Sequence, residues 1–244
     1  MYSRMDRKAG RVSDHERIAA MSLHQITAMH GQPGLRFRFV HETARLSTHD
    51  ECIKAERALA LAANLHHGDR RQNEPYINHP LRVTLRIICH YNVFDTDVIC
   101  AALLHDTVED HADRLSTDGR QGALHVLAEQ FGQRVATLVA AVTNPIYAPR
   151  SDKHTQYAEH VVTSLTACPW ARVIKVSDFT DNAVGLHYTT GTKATRLSRK
   201  YAPLVPIIQD LIDRPDTPLA ADVKDRIRVQ LHRAANRCAQ TERR

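Results

Sequence analysis

The tetrapeptide Ala101-Ala102-Leu103-Leu104 runs without interruption into His105-Asp106-Thr107-Val108-Glu109-Asp110. An apolar run of this kind is buried, and the ionisable groups that end it cannot share that burial unpaired. The fold must therefore bring partners to them. On a helix that continues through residue 110, His105 and Glu109 lie four apart, as do Asp106 and Asp110, so each pair shares a face. Such spacing suits a metal at the first pair and acid/base groups at the second. A polar helix end, with His105 bonded to a neighbouring carboxylate, is the plainer reading of these six residues by themselves.

The rest of the chain reads as helical. Nine Gly and ten Pro are few for 244 residues, and Ala, Leu, Arg and Glu recur between them, which favours an all-α class. Residues 1–48 show no sustained apolar period and are expected to form a partly disordered extension. From there Ile53, Ala58, Leu61, Ala62 and Leu65 make one stripe, with Gly68 as a helix stop. Residues 69–80 look loop-like. An apolar helix follows around 81–88, another over 96–110, and further helical patterns fall at 121–131, 132–143, 152–168, 170–187, 192–212 and 218–240. No stretch has the apolar length of a membrane span. Five cysteines without a C-x-x-C pair suit a reduced compartment, so a cytoplasmic protein is expected. A formal charge of +6 and a pI near 9.2 favour an anionic partner without choosing among nucleotides, nucleic acid and acidic proteins.

Two further segments supply what the 105–110 cluster lacks. Upstream stands Tyr76-Ile77-Asn78-His79-Pro80, and downstream Lys175-Val176-Ser177-Asp178 followed by Asn182. His79, His105, Asp106 and Asp178 together offer two imidazoles and two carboxylates. With room left for water and substrate oxygens, that set suits a six-coordinate ion such as manganese or iron(II), and differs from a closed structural zinc site.

The order Arg70-Arg71, Tyr76-Ile77-x-His79-Pro80, Leu103-Leu104-His105-Asp106-x-x-Glu109-Asp110, Phe131-Gly132 and Lys175-x-x-Asp178-x-x-x-Asn182 resembles the hydrolase domain of RelA/SpoT-type enzymes, a branch of the HD phosphohydrolases, over roughly residues 55–205. Within that family the likeness is to the single-domain small alarmone hydrolases. The resemblance implies an HD-domain helical bundle over residues 49–214 with the metal in a central cleft, and a C-terminal helix, 215–244, packed on it. It implies His79, His105, Asp106 and Asp178 as ligands of one divalent metal, taken as Mn2+ with Fe2+ as the alternative, and Glu109 and Asp110 as the catalytic acidic pair. Arg70 would stack on the purine, where a guanidinium plane covers an aromatic face, and Arg71 would be a nearby anion contact. Asn182 would fix the ribose or its phosphate, Tyr157 would lie near the nucleotide, and Lys193, Arg196 and Lys200 would meet phosphates from a basic helix start.

The implied activity is hydrolysis of the 3′-pyrophosphate of an alarmone, (p)ppGpp or (p)ppApp, releasing pyrophosphate. Two other readings share the ligand set. One is an antitoxin acting on a cognate synthetase-like toxin, its alarmone product or a pyrophosphorylated tRNA end; the other is a different HD nucleotidase or phosphodiesterase, which gives no reason for Arg70 or for the Tyr76–Pro80 segment. Two departures from the family pattern sit in the base-contacting loop. The usual A-H-x-G-Q-x-R is compressed to Ala63-Asn64-Leu65-His66-His67-Gly68-Asp69-Arg70, and Asn73 replaces the glycine before E-P-Y.

Overall fold

A computed structural model describes residues 14–71, 73–146, 152–185, 198–199 and 201–242. Twelve helices are described: α1 (Asp14–Ala19), α2 (Leu23–Thr43), α3 (His49–Leu65), α4 (Asn78–Cys89), α5 (Thr96–Leu104), α6 (Thr107–Leu115), α7 (Gly119–Phe131), α8 (Gln133–Val142), α9 (Lys153–Ala167), α10 (Pro169–Gly185), α11 (Leu204–Asp213) and α12 (Ala221–Glu242). The only described strands are β1 (Arg70–Arg71) and β2 (Glu74–Pro75), an antiparallel pair in which Arg70 faces Pro75 and Arg71 faces Glu74. The all-α class read from the sequence holds.

Local chemistry accounts for the boundaries. Thr48 and Glu51 exchange bonds at the start of α3, with Glu51 N donating to Thr48 Oγ1 (3.2 Å) and Thr48 N to Glu51 Oε2 (2.9 Å), a reciprocal cap. Asp95 caps α5 by accepting from Asp97 N and Val98 N. Gly68, at φ 89°, turns the chain from α3 into the hairpin through a conformation that side chains with a Cβ rarely adopt. Helices α4 and α5 lie at the centre, with every residue from Asn78 to Ile88 and nearly every residue of α5 buried. The apolar α5 belongs in an interior, and the buried Arg82 and Arg86 of α4 are paired there with acidic partners. Around this pair pack α2, α3, α8 and α10, and α12 lays Val223, Ile227 and Leu231 onto α10 and α11.

The expected extension over residues 1–48 is not what the structure shows for residues 14–43. Helix α2 packs along α4 and contributes Leu23, Ile26, Leu35 and Phe39 to the core. Its apolar positions had no steady period because α2 is two helical pieces merged across a kink: Gly31 takes φ 58°, ψ −151°, with Pro33 just beyond. The break shifts the phase, so that Ile26 and Leu35 face the same core although nine positions separate them.

The second difference lies at the centre. The helix expected over 96–110 is broken: α5 stops at Leu104, His105 and Asp106 form the junction, and α6 starts at Thr107, whose Oγ1 donates to Leu104 O (2.7 Å). Residues 105 and 109 are therefore not successive turns of one face. Of the helix expected at 192–212, residues 198, 199 and 201 and then Leu204–Asp213 are helical among the described residues, and Lys193, Arg196 and Lys200 lie outside them.

Because α2 completes the wall over α4, a chain lacking residues 1–40 should lose cooperative folding, seen as a missing thermal transition by circular dichroism. Phe39→Ala, which empties a fully buried ring site, should lower the unfolding free energy by about 3–5 kcal/mol in urea titrations.

Candidate metal centre

Three elements deliver the ligands. His79 sits in the first turn of α4, where Pro80 has no helix hydrogen bond to lose and where His79 N donates to Tyr76 O (2.9 Å). His105 and Asp106 come from the α5–α6 junction, and Asp178 from α10. His79 Nε2 is 3.3 Å from Asp178 Oδ1 and 3.6 Å from Asp106 Oδ2; His105 Nε2 is 3.1 Å from Asp106 Oδ2 and 3.9 Å from Asp178 Oδ1. His79, His105 and Asp178 satisfy the spacing of a metal-ligating group, and Asp106 lies against both imidazoles.

The other ring nitrogens decide what this cluster wants. His79 Nδ1 is 2.8 Å from Asp181 Oδ2 and His105 Nδ1 is 2.8 Å from Ala102 O. Both of those oxygens are acceptors, so each Nδ1 carries a proton and each Nε2 faces the carboxylates. Burial opposes charge on His105, but the negative charges of Asp106 and then Asp178 outweigh it and push the group up to about 9, so that its Nε2 holds either a second proton or a metal cation. Two Nε2 atoms and two carboxylates in a buried space need a cation between them, either protons on the imidazoles or a metal ion. In keeping with that, His105 Nε2 is buried and has no hydrogen-bond partner among the described residues. The donor set fits a divalent metal ion, and each imidazole is oriented by an acceptor behind it.

The charges around the ligands are arranged to keep the carboxylates ionised. Burial opposes the charge on Asp178, but the Lys175 ammonium, followed by His79 and His105, outweighs it and holds the group well below the usual carboxylate range. Asp106 is likewise held low against burial, first by His105 and then by His79 and the Tyr76 hydroxyl, which donates to Asp106 Oδ2 at 2.7 Å. Lys175 is itself buried and stays charged because Tyr157, Asp178 and Asp106 overcome its desolvation. Its Nζ lies 3.2 Å from Asp178 Oδ2 and 5.6 Å from the Tyr157 ring centroid.

Glu109 and Asp110 follow on the first turn of α6. Both Glu109 oxygens accept from Asn144, one from its backbone N and one from its side-chain amide, each at 3.1 Å. Asp110 reaches solvent, yet partial desolvation, joined by the negative charges of Asp106 and Glu109, pushes its carboxyl up to about 6.

Of the expected substrate contacts, Arg71 and Asn182 are drawn to the centre. Asn182 Nδ2 donates to Asp178 Oδ1 (2.6 Å), while Asn182 Oδ1 accepts from Arg71 Nη2. Arg70 is exposed on the hairpin and donates to Asn73 O (2.7 Å). Tyr157 is buried beside Lys175 rather than standing on an exposed face. Two residues escaped the sequence reading. Asp181 is 2% exposed and accepts from Arg82, Arg86 and His79, and Asn144 holds Glu109. The paired charges of Arg82 and Arg86, four apart on an otherwise apolar helix, were the available sign of a buried acid. Asn144, in the stretch after α8, gave none.

Away from the centre, a cavity of about 510 Å³ is lined by Tyr91, Phe94, Trp170, Val223 and Arg226 and contains no predicted site residue.

Comparison with known proteins agrees with this geometry. The HD domain model matches residues 58–182. The chain is 34% identical over 146 residues to the guanosine-3′,5′-bis(diphosphate) 3′-pyrophosphohydrolase MESH1 of Danio rerio, covering 57% of this chain and 74% of that one. A guanosine-3′,5′-bis(diphosphate) 3′-pyrophosphohydrolase of Aquifex aeolicus is 33% identical over 144 residues, which span 57% of this chain and only 19% of that longer protein. Among solved structures, a metazoan ortholog of SpoT described as hydrolysing ppGpp superposes with a TM-score of 0.56 at 26% identity, covering 75% of this chain and 94% of the other. Matched over half its length by the family model and over most of the MESH1 chain by sequence, this protein belongs to the HD-domain family, on the branch of the MESH1 3′-pyrophosphohydrolases.

Proposed function

We propose that the protein hydrolyses the 3′-pyrophosphate of an alarmone nucleotide, the guanosine form first, with one manganese ion held by His79, His105, Asp106 and Asp178. The observation that carries this reading is the convergence of two imidazole Nε2 atoms on two carboxylates whose charge the surrounding residues maintain. When bound, a divalent ion supplies Lewis-acid stabilisation of phosphoryl charge and lowers the pKa of water.

The chain's own residues then divide the remaining work. Glu109, held at both oxygens by Asn144, orients the attacking water beside the 3′-linked phosphorus. Asp110, titrating at about 6, exchanges a proton near neutral pH in either direction, which suits the group that must protonate the departing 3′ oxygen. One P–O bond forms to water, the bond between phosphorus and the ribose 3′ oxygen breaks, and the products are pyrophosphate and the nucleoside 5′-di- or triphosphate, GDP or GTP for the guanosine form and the adenosine equivalents otherwise. Arg70, exposed on the hairpin rim, covers the purine, and Arg71 addresses phosphate from beside Asn182. Lys193, Arg196 and Lys200 complete the phosphate contacts in this reading. The antitoxin and tRNA-end readings share the ligand set and are permitted by the positive charge, and they gain no further support from these residues.

A release assay comparing 3′-pyrophosphorylated guanosine, adenosine and tRNA substrates tests the proposal. Pyrophosphate should appear from the guanosine nucleotide, vanish with chelator and return with manganese. Undiminished turnover in exhaustive chelator would remove the metal from the mechanism. His79→Ala should lose both bound metal and activity, whereas Glu109→Gln should keep the metal and lose turnover by roughly 10²–10⁴-fold; metal analysis beside the rate separates the two. Asp181→Asn, which weakens the acceptor behind His79 together with the ion pairs to Arg82 and Arg86, should weaken metal affinity by about 10–100-fold, read by chelator competition on the folded variant.

The two arginines should separate kinetically. Arg70→Ala is expected to raise KM by about ten- to thirty-fold with kcat largely kept, because stacking on the base stabilises ground and transition states alike, and Arg70→Lys should restore little. Arg71→Ala, through Asn182 and Asp178, should lower kcat as well. Steady-state kinetics in which Arg70→Ala leaves KM unchanged would take the base contact away from Arg70.

A further inference from the structure

A second group of metal-ligating side chains converges among the described residues: His66, Asp69 and His111. They come from three pieces of chain, His66 just after α3, Asp69 just before β1, and His111 inside α6. His66 Nδ1 lies 3.0 Å and His111 Nε2 lies 2.6 Å from the same oxygen, Asp69 Oδ2, and the two nitrogens are 3.2 Å apart. His111 leaves the helical conformation within α6, at φ −138°, ψ 31°. The hydrolysis described above uses none of the three.

Hydrogen bonding alone leaves this arrangement poorly satisfied. Two imidazole N–H groups aimed at one oxygen would face each other across 3.2 Å, whereas two nitrogen lone pairs and a carboxylate oxygen around one cation are all engaged. A metal on Nδ1 moves the His66 proton to Nε2, which is buried with no hydrogen-bond partner among the described residues, so the ion has one unmatched N–H to outweigh; the ring itself is held by stacking on Tyr76 at 4.4 Å between centroids. The His66 side chain is fully covered, while those of His111 and Asp69 are 15% and 38% exposed, so one side of the trio opens to water. Three protein ligands with an open position form the pattern of an exchangeable zinc site.

We propose that His66 Nδ1, His111 Nε2 and the Asp69 carboxylate form a second site for a divalent transition-metal ion, with zinc suited to two imidazoles and one carboxylate. An ion there joins the segment that continues into Arg70 and Arg71 to the helix that carries Glu109 and Asp110. Tyr76 lies between the two centres, stacked on His66 and donating to Asp106.

The test is an ion count, independent of turnover and of the hydrolase reading. The full-length chain is stripped with chelator, titrated with zinc alone, passed through a desalting column and analysed for metal per chain. The wild type should retain two ions, His79→Ala one, and Asp69→Asn and His111→Gln one each. A wild-type ion count that is not lowered by one in folded Asp69→Asn and in folded His111→Gln overturns the proposal, whether or not the His79 centre takes zinc. Circular dichroism verifies folding of each variant; Asp69, partly exposed, is the position least coupled to the core and decides the question should His111→Gln fail to fold.

Discussion

The buried carboxylate of Asp181 is the contact on which the centre depends. It accepts from Arg82 (Nε 3.0 Å) and Arg86 (Nη2 3.2 Å) on α4 and from His79 Nδ1 at 2.8 Å, while itself belonging to α10. Burial alone would favour its protonation, but the two guanidiniums and His79 outweigh burial and hold it well below the carboxylate range. One group thus joins the central helix to the helix that carries Asp178 and fixes the tautomer of His79. Arg82 passes the connection on to Glu74 of the hairpin (2.8 Å). Removing one partner of a buried ionic set leaves the others uncompensated, a loss on the order of 3–5 kcal/mol. Stability and ligand orientation are therefore carried by the same atoms.

Much of this was legible beforehand, for identifiable reasons. The His105-Asp106 pair stood out because charges directly followed an apolar run, and His79 because the Tyr76–Pro80 segment adds a ligand type that the cluster lacks. Less visible was α2, since the kink at Gly31 splits its apolar positions into two short sets and a sequence period is read only where the phase persists. The break between α5 and α6 was also hidden: residues 96–110 carry no Gly or Pro, and the helix ends because His105 and Asp106 turn toward tertiary partners. Asp181 and Asn144 act by what they touch across the fold, at separations of 102 residues from His79 and 35 from Glu109. Local sequence records such contacts poorly.

The hairpin shows how substrate contacts are tied to the centre. Arg71 reaches Asn182, Asn182 reaches Asp178, and Tyr76 on the other end of the hairpin reaches Asp106. A short β1–β2 pair would be a weak scaffold if free in water. Anchored at both ends to two ligands, it becomes a defined rim, even though the loop leading into it departs from the family pattern.

The junction at His105 and Asp106 has a consequence for how such a site diversifies. Because α5 ends before the acidic pair, His79 and Asp178 grip the ion from α4 and α10 and His105 and Asp106 from the junction, while the proton-handling pair rides on α6; α5 is anchored by α3, α4 and α8, and α6 by α3 and α7. A sequence change that tilts α6 re-aims Glu109 and Asp110 toward a different leaving group while the ion stays where it was. A break of one junction in an otherwise continuous helix lets lineages with the same ion-binding residues acquire different phosphoester substrates without rebuilding the centre.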